Sequence, residues 1–311
     1  MTAEDHTLTI VYQFGKVAST SLVNTLRMVD GLDVHQSHFL GEDALRRIVP
    51  IAVSQSTNAY FHEHLLGQLS KNVALTYRMN RVLAGHGASP LKVLSLSREP
   101  LDWLRSGLLQ DIKGYRPDIL AYASSKGVSS EDEATTLQEA LVLVLSEIAE
   151  LIDGLGGMTA TADAFLAMGG KAMMAPFGTE YAMIVRKLFF LALRPHVWFE
   201  EHFRPCFGFG LEGFEMRDGI WVAHKPRSDF AIVRYEDLDG VIGTAFEALD
   251  LRSVGTLVRS NVSKSKPLAG VVTGACGSEA AMALRRRMLG SRYAQFFQYS
   301  QMPAQPHVAA E

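Results

Sequence analysis

Cysteine is nearly missing from this sequence. Cys206 and Cys276 are the only two in 311 residues. So isolated a pair fits neither a disulfide framework nor a metal spacing, and a reducing cytoplasm is the expected location. A surplus of positive charge is missing too. The 30 Lys and Arg stand against 33 Asp and Glu, a net charge of -3. No global basic field points to a nucleic-acid partner, so any anion site must be local. Long apolar runs are lacking as well. Residues 141–145 are soon followed by Glu147 and Glu150, and Arg186, Lys187 and Arg194 interrupt residues 181–199. Neither stretch offers the roughly 20 apolar residues that a membrane span takes. The first residues carry Glu4 and Asp5 ahead of any apolar run, and no signal peptide is expected.

What the chain does have is ample core material, 48% hydrophobic residues against 20% charged, enough for one elaborated domain. Leu8-Thr9-Ile10-Val11-Tyr12 reads as a buried strand, and the pattern turns helical from Thr20, with Leu22, Val23, Leu26 and Val29 on one side. Asp30-Gly31 stops that helix, and Leu32-Asp33-Val34-His35 reads as a second strand. A helix over residues 73–83 precedes another buried strand at Leu91-Lys92-Val93-Leu94-Ser95-Leu96. Ser97-Arg98-Glu99-Pro100 turns it into a helix over 101–112, with Pro100 at home in the first helical turn. A long amphipathic helix spans 131–152, a late strand 230–235, and further helices 241–249 and 279–289. This order predicts an α/β fold, a P-loop-like parallel sheet flanked by helices, with a helical insertion. The chain reads as one domain, 1–311, whose residues from about 115 to 230 form the insertion and the acceptor-binding region.

Two loops carry chemistry. The first, Gly15-Lys16-Val17-Ala18-Ser19-Thr20-Ser21, follows the first strand and opens a helix. A helix start exposes unpartnered N–H groups at the positive end of the dipole, which suits an anion. Gly15 allows a tight turn, Lys16 adds a cation, and Ser19, Thr20 and Ser21 add hydroxyls. A magnesium-dependent P-loop kinase is disfavoured, because that motif needs a hydroxyl directly after the lysine and Val17 stands there. The second loop places Arg98 at a strand end and Ser106 about two helical turns on, a fork and a hydroxyl suited to a second phosphate.

This pair of loops resembles the sulfotransferases that use 3′-phosphoadenosine-5′-phosphosulfate (PAPS). Lys16-Val17-Ala18-Ser19-Thr20-Ser21 is similar to the Lys-Thr-Ala-Ser-Thr-Ser form of uronosyl 2-O-sulfotransferases, and Ser97-Arg98-Glu99-Pro100 to the family's Arg-Asp-Pro turn. Val233-Arg234-Tyr235-Glu236-Asp237-Leu238 is similar to a common Tyr-Glu-Asp-Leu segment. Residues 196–214 and Ser291-Arg292-Tyr293-Ala294-Gln295-Phe296-Phe297 are similar to bacterial proteins linked to capsular polysaccharide synthesis. Gly15 stands where the family usually has proline, Glu99 for the commoner aspartate, and Ser21 where many members have tryptophan.

The resemblance implies transfer of a sulfuryl group from PAPS to a hydroxyl of a saccharide or polysaccharide, with no metal. It assigns the 5′-phosphosulfate to residues 15–21, the 3′-phosphate to Arg98 and Ser106, and the bridging oxygen to Lys16. A general base is also needed. His35-Gln36-Ser37-His38 follows the second strand, where ligands of open α/β sheets gather, and offers His38 first and His35 second. The alternatives are a non-catalytic nucleotide-binding protein of the same fold and a P-loop kinase. His62-Glu63-His64 reads as solvated or hydrogen-bonded rather than metal-binding, Lys264 and Lys266 as a solvated loop, and Arg285-Arg286-Arg287 as solvent-facing. Glu236 and Asp237 read as capping a helix or pairing with Arg234. Oligomeric state is left open.

Overall fold

The apolar runs of the sequence become the middle of a sheet. The computed structural model describes residues 6–15, 17, 19–46, 49, 59–87, 89–178, 180–251 and 268–302, without the side chains of Ser19 and of residues 59–66. The strands are β1 (Thr7–Tyr12), β2 (Leu32–Ser37), β3 (Leu91–Ser97), β4 (Glu215–Arg217), β5 (Ile220–Lys225) and β6 (Ser228–Arg234). The principal helices are α1 (Ser19–Leu26), α2 (Ala59–Leu83), α3 (Pro100–Ser125), α4 (Glu133–Gly154), α5 (Met158–Met174), α6 (Met183–Trp198), α7 (Leu238–Ala248), α8 (Ala269–Cys276), α9 (Glu279–Leu289) and α10 (Arg292–Phe296). They fall into two compact units, residues 1–97 with 198–261 and residues 98–197 with 262–311. Among the described residues no helix is long and apolar enough to cross a membrane.

The first unit is an open, mostly parallel six-stranded sheet in the order β2-β1-β3-β6-β5-β4. Its first four strands are parallel, and all seven residues of β3 are buried, as a central parallel strand requires. Helix α1 packs on β1 and β2, α2 on β3, and α7 on β5 and β6. The expected parallel sheet is present in four strands, and at one edge β5 and β4 run antiparallel. The cause is local. Asp218 (φ 49°) and Gly219 (φ 83°) take left-handed conformations and close a two-residue hairpin between Arg217 and Ile220. Two residues also separate Lys225 from its partner Ser228, far too few for a crossover. Thus part of the segment expected to bind the acceptor belongs to the sheet.

The second unit is helical. Helix α4 buries Leu137, Leu141, Val144, Leu145, Ile148 and Ile152, and α3, α8 and α9 pack against it. Asp132 caps α4 by accepting the Ala134 and Thr135 N–H groups, and Ser278 caps α9 by accepting that of Ala281. The arginine run on α9 is only partly solvent-facing, which corrects the sequence reading. Arg286 is exposed, Arg287 forks onto Asp153, and Arg285 reaches the buried Glu99. An 11-residue helix packed along one side turns two of three successive side chains toward neighbours.

Candidate functional site

The sheet order fixes where a ligand is expected. β1 lies between β2 and β3, so its two neighbours are reached by connections running in opposite directions. Ligands of such sheets settle outside the carboxyl ends of the strands at this switch point. Those ends are Tyr12 and Ser97, and the Ser95 hydroxyl donates to the Tyr12 carbonyl across them. The loop that leaves Tyr12 is the one singled out in the sequence.

Gln13 starts it and is fully buried. Its side-chain oxygen accepts the Gly15 N–H, which folds the loop back on itself. Gly15 has φ +89°, a conformation proline cannot take. A proline at this position would need a different turn. Val17 is buried, Thr20 is exposed and Ser21 is 4% exposed, so the first turn of α1 sends one hydroxyl outward and one inward. Lys16, Ala18 and the Ser19 side chain lie outside the described residues, as do the side chains of His62, Glu63 and His64, and Lys264 and Lys266 entirely.

His38 stands against this loop. Its ring Nδ1 is 2.8 Å from the Gln13 carbonyl oxygen, and a β-carbon on Gly15 would lie 3.9 Å from its Cε1. A carbonyl only accepts, so in the neutral ring Nδ1 carries the hydrogen and Nε2 is the basic nitrogen. The segment around it is held firmly. The Trp198 Nε1–H donates to the His38 carbonyl at 3.2 Å. The Leu40 N–H donates to the Tyr12 hydroxyl at 3.1 Å, and that hydroxyl donates to the His202 carbonyl. The buried Ser37 hydroxyl meets Asn72 at 2.9 Å.

His35 is placed differently. It pairs with Ile10 inside the sheet, two residues short of the end of β2. Its Nε2 lies 2.8 Å from Asp33 Oδ1 and 3.1 Å from Arg78 Nη1, while Arg78 also binds the second Asp33 oxygen. Burial, and then the Arg27 charge, lower its pKa. These contacts engage the nitrogen that a base would use.

In the second unit, Arg98 is fixed through its backbone. The Tyr293 hydroxyl accepts the Arg98 N–H at 3.0 Å and donates to the Arg98 carbonyl at 2.9 Å. Glu99 caps α3 by accepting the Asp102 N–H at 2.8 Å. Its other oxygen accepts from Arg285 Nε at 3.0 Å. Burial pushes the Glu99 carboxyl above the usual carboxylate range, while the Asp102 N–H and Arg285 pull the other way. Glutamate spans both contacts where aspartate is one methylene shorter. Ser106 is half-buried on α3. Asp237 pairs with Arg234, one of the two roles expected for it.

Sequence reading missed Gln13 and Trp198 as partners of His38, and Tyr293 as the partner of Arg98. Gln13 carried a signal, a lone polar residue between Tyr12 and Phe14 after an apolar strand. Trp198 and Tyr293 carried none, because their contacts lie 160 and 195 residues away. Among the described residues no three His, Cys, Asp or Glu side chains gather as a metal would need. Compared with protein-family models, curated proteins and solved structures, the chain matches none.

Proposed function

We propose that this chain is a sulfotransferase that moves a sulfuryl group from PAPS to a hydroxyl of a saccharide acceptor. The observation that carries the reading is His38 beside Gly15, with Nδ1 held by the Gln13 carbonyl so that the tautomeric hydrogen is not on Nε2. An anion-binding loop and an oriented base at one strand end are what this chemistry asks for. The fold class and the two loop motifs support it further.

The acceptor oxygen attacks sulfur in line as His38 Nε2 takes its proton. A new S–O bond forms, and the bond from sulfur to the bridging oxygen breaks. The electron pair leaves on 3′,5′-ADP, and Lys16 stabilises the charge growing on that oxygen. The Gly15–Ser21 backbone and hydroxyls bind the 5′-phosphosulfate. The family resemblance gives the 3′-phosphate to Arg98 and Ser106.

The reading is tested with purified protein. Calorimetry is expected to show 3′,5′-ADP binding without magnesium, and labelled PAPS is expected to pass label to an added saccharide. Lys16→Ala is expected to abolish transfer while thermal unfolding stays the same. Nucleotide binding without turnover on any acceptor would favour a non-catalytic binder. Magnesium-dependent ATP binding without 3′,5′-ADP binding would overturn the reading in favour of a kinase.

A further inference from the structure

We infer that Tyr293 is a positioning residue that sets the selectivity of Arg98 for a nucleotide 3′-phosphate. The inference rests on the reading above, in which Arg98 receives that phosphate. One phenol hydroxyl bonds both backbone groups of one residue, at 3.0 and 2.9 Å. Such a clamp fixes the peptide units on either side of the Arg98 Cα, and so the direction of the Cα–Cβ bond from which the side chain starts. An arginine fork reads a phosphate by direction as well as charge, so a turn held in place before binding loses less freedom on binding.

The clamp itself is rigid. Tyr293 is 3% exposed. Its ring packs against Phe297 at 5.0 Å, Tyr299 at 5.9 Å and His196 at 5.5 Å between centroids. Ser291, which caps α10 by accepting the Ala294 N–H, lies 2.8 Å from His196 Nδ1. The buried histidine thus anchors the turn that carries Tyr293. Arg285 on Glu99 holds the next residue along. Two successive residues after β3 are therefore set by α9 and α10, more than 180 residues later in the chain.

A structural role alone would lower stability and leave nucleotide preference intact, so preference is the quantity to measure. Affinities for 3′,5′-ADP and 5′-AMP, which lacks the 3′-phosphate, are compared by calorimetry in the unaltered chain, Arg98→Ala and Tyr293→Phe. The Phe variant keeps the ring and removes only the hydroxyl. The expected result is a loss of about tenfold in 3′,5′-ADP affinity with 5′-AMP affinity nearly constant, in the direction of Arg98→Ala. A preference lost in Arg98→Ala but kept in Tyr293→Phe overturns the inference and leaves the function standing. No preference in the unaltered chain removes the 3′-phosphate assignment itself. Hydrogen exchange on the unaltered chain gives a second test that needs no folded variant. The Arg98 amide is expected to be protected before any nucleotide is added, and protection arising only with 3′,5′-ADP overturns the clamp.

Discussion

Arg285 Nε lies 3.0 Å from Glu99 Oε1, a pair 16% and 7% exposed at the side chains. Removing one member of such a pair strands the other without its partner. Arg285→Ala is expected to cost about 3 kcal/mol in urea unfolding, by analogy with other broken buried pairs. The double variant Arg285→Ala with Glu99→Gln is expected to recover part of that loss, because the stranded charge is gone. Strict additivity of the two would show that the pair is not coupled.

The loop turn gives a second expectation. Gly15 at φ +89° also donates its N–H to Gln13. Gly15→Ala keeps the donor and takes a strain of about 1 kcal/mol. Gly15→Pro loses the donor and demands φ near −65°. Calorimetry is expected to find 3′,5′-ADP binding weakened in the first and absent in the second. Normal binding by the proline variant would mean that the turn plays no part in the site.

On the proposed reaction, removing His38 separates binding from chemistry. His38→Ala is expected to lower turnover by about 100-fold or more with nucleotide affinity unchanged. His35→Ala is expected to lose stability, because Asp33 and Arg78 lose a shared partner, yet to keep most turnover per folded molecule. Rates for the two variants, each corrected for folded fraction, decide between the histidines.

A pH effect follows from His196, whose burial lowers its pKa from 6.5 to about 3. Well above pH 6.5 the ring is neutral in both states and its contribution is constant. Below that, the unfolded chain takes up a proton that the folded chain refuses until about pH 3. Stability is therefore lost as pH falls through this window, by roughly 1 kcal/mol per pH unit. Urea midpoints measured at pH 7, 6 and 5 check the slope. His196→Asn is expected to be less stable at pH 7 but to show a flatter dependence.

The sequence made much of the sheet legible, because β1, β3 and β6 are apolar runs that no other period explains. Helix α4 was legible from its apolar stripe. The β4–β5 hairpin escaped because β4 is only Glu215-Met216-Arg217, too short to show a period and exposed at every residue. Its Asp218-Gly219 turn was the remaining signal. Helix α2 begins at Ala59 rather than near residue 73. At the site, the glycine turn and His38 were legible as local patterns. Their partners were not, since Trp198 meets His38 only through the fold.

The contact between Arg98 and Tyr293 spans 195 residues. While the chain is being synthesised, more than the first nine-tenths is made with the turn after β3 still unclasped. Closing so long a loop is entropically slow, and late contacts of this kind delay folding. The arginine thus acquires its final bearing only when the segment carrying Tyr293 has left the ribosome and docked. A chain stopped short of that residue would keep every strand of the sheet and still carry an unset arginine.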